Sequence, residues 1–315
     1  MFSRRTFLQA VAGTVGAAAL GTASTAASSP RRKFTMDLRC GSIGVKADLR
    51  RAIELAHRYG FESVEPSAVA LAAMSESQLR ELLAEMKQKH LVWGATGIPV
   101  SFRSEEAAFR AGLEALPATA KAIQRAGVTR VGTFISPSHD TLTYLANFRQ
   151  HVRRLRQIAD VLGDHGIRFG LEYVGPKTSW TRGRFPFIHT LAETRELIAE
   201  IGRDNVGLVL DSWHWYTAHE TPSDLLALAG RQVVACHLND APEGVDIDAQ
   251  IDNVRRLPAT TGVIDLRAFL GALVSIGYDG PVCAEPFYSP LRSMSAEEAV
   301  AATAAAMKKA FALVN

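Results

Sequence analysis

Eight short apolar runs, each followed by a stretch of helical periodicity, constrain this 315-residue chain more than any other feature of it. The runs are MDLRCGS (36–42), FESVEPS (61–67), LVWGATG (91–97), RVGTFIS (130–136), IRFGLEYVG (167–175), VGLVLDS (206–212), VVACHLND (233–240) and PVCAEPF (281–287). Between them, DLRRAIELAHRYG opens with an Asp cap and closes on Gly. SESQLRELLAEMKQKH and AETRELIAEIG place apolar residues at i, i+3, i+4 and i+7. Strand–helix units repeating every ~30 to 40 residues predict parallel βαβ connections. Eight of them predict an α/β fold, a (β/α)8 TIM barrel, as a single domain over residues 34–313. No Gly-rich dinucleotide loop follows any run, since GSIGVKAD after the first is too loose. The longest connection without an evident element, Ala241 to Thr261, lies between runs seven and eight, where a long loop is expected to be functional.

The N-terminus predicts compartment. SRRTFLQA (3–10) precedes a short Ala- and Gly-rich apolar stretch and a small-residue exit, TASTAASS, which together describe an export signal over residues 1–27. Arg4-Arg5 followed by Phe7-Leu8 resembles the twin-arginine signal, which carries folded proteins across a membrane. That resemblance implies the twin-arginine export machinery as a partner and a periplasmic or otherwise extracytoplasmic location. The apolar stretch is too short and Gly-rich to anchor, so no stable membrane association is expected. Cleavage removes Arg4 and Arg5 and takes the formal net charge from +3 to +1. A near-neutral body gives no electrostatic case for nucleic acid. Cys40, Cys236 and Cys283 are too few for a disulfide framework and read as buried small hydrophobes.

Carboxyl-terminal strand ends of such a barrel converge on one mouth. Runs five to eight each deliver a metal-type ligand there: Glu172, Asp211, His237 and Glu285. Three carboxylates and one imidazole at buried positions repel unless a cation joins them. A divalent metal resolves the conflict, and Asp211 is then a ligand rather than punctuation after a greasy strand. Three oxygens and one nitrogen suit Mn²⁺, Mg²⁺ or Co²⁺, with Zn²⁺ also within reach. Folding before export would let the metal be chosen in the cytoplasm, which favours Mn²⁺.

LEYVGP, LDSWHWYT, HLND, GVID and GYDGPVCAEPF, in this order, resemble the xylose-isomerase-like barrels, with the resemblance densest from Gly170 to Phe287. The family includes ketose 3-epimerases, inosose isomerases and dehydratases, and endonuclease IV-type repair enzymes. In its epimerase branch the matching Glu, Asp, His and Glu bind one divalent metal and the two Glu form the acid–base pair. The resemblance therefore implies Glu172, Asp211, His237 and Glu285 as ligands and Glu172 and Glu285 as catalytic residues acting on a small sugar or cyclitol. One carboxylate would remove the proton beside a carbonyl and the other return it, through an enediolate. His214 is similar to the family histidine that bonds substrate oxygens, and Arg255 or Arg256 falls where related barrels carry a substrate-contacting Arg.

Further candidates come from position alone. Trp213 and Trp215 could stack on a sugar face, and Lys177, Arg182 and Arg184 could grip substrate from a lid. Asn239 and Asp240 are expected to orient ligands, and Glu65 and His139 to reach the pocket. Several readings compete. A two-metal isomerase would use Asp246 and Asp248. A lyase on a keto-sugar would use the same metal and bases. An endonuclease would need an Asp-x-His where DIDAQIDNVRRLP stands, and a DNA track where Arg149, Arg153 and Arg156 share an outer helix face. A non-catalytic sugar binder would tolerate loss of a catalytic Glu, yet both are present. LPATTGVID departs from the compact Pro-Gly-Glu-Gly turn of many family members. The sequence leaves homo-oligomerisation open.

Overall fold

The computed structural model describes residues 31–314, so the expected export signal lies outside the described residues. Parallel strands arise at all eight expected runs: β1 (Thr35–Leu38), β2 (Ser63–Val64), β3 in two pieces (Val92–Trp93 and Thr96–Gly97), β4 (Arg130–Phe134), β5 (Arg168–Glu172), β6 (Val206–Asp211), β7 (Val233–Leu238) and β8 (Pro281–Ala284). β1 pairs with both β2 and β8, and the ladder runs on through β7, β6, β5 and β4 to Thr96–Gly97. Val92–Trp93 pairs with β2, so the ring closes through the third strand. Closure leaves this barrel sheet without an exposed edge among the described residues.

The strands end earlier than the apolar runs, and the third is interrupted rather than continuous over 91–97. The two pieces pair with different neighbours, and Gly94 between them still donates its N–H to Val64 O. Gly94 lies so close to Asp37 that a Cβ built on it would fall 2.3 Å from Asp37 Oδ1. The carboxylate occupies the space a side chain on β3 would need.

Helices follow their caps. Asp48 accepts from Arg51 N to start Leu49–Tyr59, and Gly60 at φ 76 stops it in the left-handed region that favours glycine. Ser75 with Gln78 and Thr190 with Glu193 form capping boxes for Glu76–Gln88 and Leu191–Ile201. Alternation sends residues such as Leu171 and Leu210, both fully buried, toward the helices, and their neighbours Glu172 and Asp211 toward the barrel axis. The three cysteines are buried and free.

The long connection after β7 is held at both ends. Asp240 and Arg256 form an isolated antiparallel bridge. The Asp240 carboxylate accepts from the backbone N–H of Ala241, Thr261, Gly262 and Ile264. Asp240 is thus a staple for this loop rather than an orienter of ligands, and it presents the preceding residue, Arg255, to the mouth. No helix among the described residues is long and apolar enough to cross a membrane.

Candidate metal centre and active site

Glu172 is the last residue of β5 and Asp211 the last of β6. His237 pairs in register with Asp211, and Glu285 follows β8 with its N–H still donated to Leu238 O. Each of the four offers a ligand atom, and these atoms lie within 4.8 Å of one another. His237 Nδ1 is the hub, at 2.9 Å from Glu172 Oε1, 3.4 Å from Glu285 Oε2 and 3.9 Å from Asp211 Oδ2.

The surrounding groups fix these atoms. Asp211 receives Asn239 Nδ2 at 2.8 and 3.1 Å, Trp213 N at 2.7 Å and Arg255 Nη1 at 2.9 Å. Arg39, which sequence reasoning missed, donates Nε to Glu65 at 3.1 Å and Nη1 to Glu285 at 3.3 Å. Burial raises the Asp211 carboxyl even though Arg255 opposes the shift. Glu285 goes the other way: burial disfavours its charge, but His237, Arg255 and Arg39 hold it well below the usual carboxylate range. For His237, burial opposes protonation, and Cys283, Glu285 and Glu172 outweigh it. The donor set fits a divalent ion: three carboxylates and one imidazole nitrogen converge, and a cation would take the place of the proton on Nδ1.

Two cavities meet at this cluster and share Arg39, Phe134, Glu172 and Glu285. The mouth cavity, of about 610 Å³, is lined by His214, Arg255, Arg182, His139 and Phe287 among others. His214 accepts from Gly175 N at Nδ1 (3.2 Å), and its Nε2 is 3.4 Å from Arg255 Nη2. Phe287, under the Arg255 guanidinium, holds φ 39, an uncommon conformation for a bulky residue that the sequence did not signal. The second cavity, of about 210 Å³, runs into the barrel toward Asp37 and Thr96.

The other candidates are placed elsewhere. Lys177 is half-exposed and ion-paired with Asp248 at 2.7 Å, away from both cavities. Arg256 donates to Arg255 O and lies over Tyr288, so it supports the loop rather than the pocket. Trp213 is fully buried behind Arg255, and Trp215 donates to Thr221 O within the core; neither lines the mouth. Arg184 stacks on Phe185, and Glu65 acts through Arg39. Asp248 is held by Lys177 and His219 on the exposed loop, apart from the quartet. Arg153 pairs with Glu106 and Arg156 caps carbonyls at Glu200 and Ile201, while Arg149 is exposed on the same outer helix.

An eight-stranded parallel barrel with a carboxylate–imidazole cluster at its carboxyl-terminal rim is a TIM barrel with a candidate divalent-metal centre. The chain belongs to the xylose isomerase-like TIM barrel family, whose model matches residues 53–310. An inosose isomerase of Bacillus velezensis is 24% identical over 258 residues, 81% of this chain and 89% of that protein. The inosose isomerase of Bacillus subtilis is 32% identical over 147 residues, and this match spans about half of each chain, 46% and 49%. A 3-dehydroshikimate dehydratase of Pseudomonas aeruginosa is 29% identical over 44% of this chain and 21% of its own length. Among solved structures, a xylose isomerase domain protein from Alicyclobacillus acidocaldarius superposes with a TM-score of 0.76 at 32% identity, covering 87% of this chain and 96% of that one. The IOLI protein, crystallised with a zinc atom, shares the fold with a TM-score of 0.74 at 22% identity, covering 90% of this chain and 99% of its own.

Proposed function

We propose that the protein is a divalent-metal-dependent isomerase or epimerase of a keto-sugar or inosose. One observation carries this reading: Glu172 and Glu285, from β5 and from the end of β8, approach the same His237 Nδ1 at 2.9 and 3.4 Å beside an open cavity. A cation held by Glu172, Asp211, His237 and Glu285 supplies Lewis acidity toward charge developing on a substrate carbonyl oxygen. The chain supplies the proton chemistry. One of the two glutamates removes the proton from the carbon next to the carbonyl, and the other returns one. Return to the opposite face gives an epimer, and return to the adjacent carbon gives an aldose–ketose pair. His214, lining the mouth, holds a substrate oxygen, and Arg255, bonded to Asp211 and Asp252, orients the ligand carboxylate behind it. The relatedness to inosose isomerases supports a cyclitol ketone or ketose as substrate.

The dehydratase relative favours a second reading, in which the same base removes the proton and a hydroxyl leaves from the next carbon. The oxygen-rich donor set favours Mn²⁺, with Zn²⁺ as the competitor given the zinc-bound relative. The Arg4-Arg5 motif supports export, which cell fractionation of the tagged full chain would test. Incubating Mn²⁺-loaded protein with a ketose and inosose panel in heavy water tests the chemistry. Deuterium should enter one carbon next to the carbonyl, and Glu172→Gln and Glu285→Gln should each abolish it. Retained exchange in both variants means the bases are misassigned; product lacking a hydroxyl selects the dehydratase.

A further inference from the structure

A third cavity, which the proposed chemistry leaves unused, opens at the barrel rim over the segments that follow β1, β2 and β3. It encloses about 980 Å³, with Val45, Ala47, Pro66, Ala68, Val69 and Pro99 in its lining. That volume lies at the upper end of the ~300–1,000 Å³ usual for ligand pockets. The local chain builds it. Ser67 accepts from Ala70 N and starts the short helix Ala68–Ala73, whose sequence AVALAA leaves only small apolar side chains on this rim. Leu71 is fully buried, while Val69, two residues earlier and so on the other face, is 83% exposed. No other large apolar side chain among the described residues is as exposed. Apolar surface gathered in a concavity, rather than scattered singly, marks a binding groove.

The charges around this cavity cancel. Lys46 and Asp48 stand exposed in its lining, and Glu65 is neutralised by Arg39 at 3.1 Å. Nothing here draws an ion in, so the lining suits an uncharged apolar group.

The cavity also adjoins the candidate metal centre. Thr96, Gly97 and Ile98 line both it and the second cavity, which the quartet's His237 and Glu285 line in turn. A Cβ on Gly97 would meet nothing within 4 Å, so no side chain walls off the space there. On the other flank the Arg39–Glu65 pair spans the boundary: Glu65 lines the third cavity, while Arg39 lines the second and reaches Glu285 at 3.3 Å. A group bonded to a substrate held at the quartet has room to pass over Gly97 onto this apolar rim.

We propose that the third cavity is a subsite for an apolar substituent, alkyl or aryl, carried by the substrate. The inference rests on the isomerase reading and extends it. The substrate is then a keto-sugar or inosose that bears such a group away from the reacting carbon, rather than the free polyol.

Calorimetric titration of the Mn²⁺-loaded full protein tests this. The probes are scyllo-inosose and D-fructose with their O-methyl and O-benzyl ethers, each against wild type, Val69→Asp and Ala68→Asp. The readout is the ratio of benzyl to methyl affinity for ethers of the same oxygen. Partial burial of a phenyl group should make that ratio about tenfold or more in wild type at one oxygen. A carboxylate at either position should cut it below about threefold, because a charge that must stay hydrated replaces apolar contact. Val69 is exposed, so Val69→Asp keeps the comparison intact if Ala68→Asp fails to fold. Wild-type ratios near one at every oxygen, with a parent compound bound and exchanging its protons, overturn the subsite and leave the enzyme reading standing. A tenfold ratio that both variants preserve overturns it as well, because the substituent then lies elsewhere. A wild-type dimer in sedimentation that Val69→Asp dissociates, at an unchanged ratio, assigns the cavity to a second copy instead. A wild type that neither binds nor exchanges protons with any probe overturns both readings.

Discussion

Arg255 Nη1 lies 2.9 Å from Asp211 Oδ2, with both side chains shielded from solvent, and reaches Glu285 Oε2 at 3.5 Å. Its Nη2 is bound to Asp252 at 2.7 Å, and its guanidinium lies over Phe287. Removing one partner of a buried pair leaves the other uncompensated, at about 3–5 kcal/mol. Arg255→Ala should therefore lower unfolding free energy by that order and kcat/KM by at least ~100-fold. Arg255→Lys keeps charge but not the planar fork, and should recover stability more than activity. Denaturant unfolding and proton-exchange kinetics on both variants check this; an Arg255→Ala protein with wild-type values removes Arg255 from the site.

Metal occupancy should be visible in stability. Binding confined to the native state adds ~2.7 kcal/mol at a hundredfold excess over Kd, or a melting rise of about 4–5 °C for a domain of this size. Chelator should reverse the rise, and His237→Gln, which deletes the hub nitrogen, should eliminate it. Differential scanning with Mn²⁺ and Zn²⁺ in turn measures both. A full rise in His237→Gln means the ion binds elsewhere.

Glu220 gives a pH dependence distant from the quartet. Its carboxylate receives Tyr173 O–H at 2.5 Å and Leu191 N–H at 2.6 Å, yet burial outweighs these bonds and lifts it to about 7. The folded state then holds a proton that the unfolded state has released between about pH 4.5 and 7, so this group's contribution falls as pH rises through that window. Relative to Glu220→Gln, wild type should lose up to roughly 3 kcal/mol between pH 5 and 8. Parallel stability–pH curves for the two proteins would refute the assignment.

Asp240 predicts a mobility effect without a chemical one. Replacing it by Ala frees the N–H groups of Ala241, Thr261, Gly262 and Ile264 at once. Hydrogen exchange across residues 241–264 should accelerate at least tenfold, and KM should rise more than kcat falls, because Arg255 rides on this loop. Unchanged protection over that segment would show the loop is held by other contacts.

How far these features were legible in the sequence depends on what a motif encodes. Glu172, Asp211, His237 and Glu285 could be read because each ends an apolar run, and a strand's end in a parallel barrel fixes a rim position. Position does not fix direction. Trp213 follows Asp211 at the start of Ser212–Thr217, where the helical turn points its ring into the core. Lys177 similarly begins a short turn, Lys177–Trp180, that leads it to Asp248 rather than inward. Arg39 and Asp37 were illegible because their neighbours, Glu65, Glu285 and Gly94, are distant in sequence and meet them only once β1 pairs with β2 and β8. The third strand read as continuous because its pieces, Val92–Trp93 and Thr96–Gly97, pair with different neighbours, which no local signal reports.

The crowding of Gly94 by Asp37 couples two sites in evolutionary time. Any Cβ at position 94 would collide with the acid at position 37, so neither can drift independently. Lineages that keep an aspartate on the first strand should be bound to glycine on the third, while those that surrender it become free to carry a side chain there. The covariation of this one pair would then record, across homologues, where the interior chamber was gained or lost.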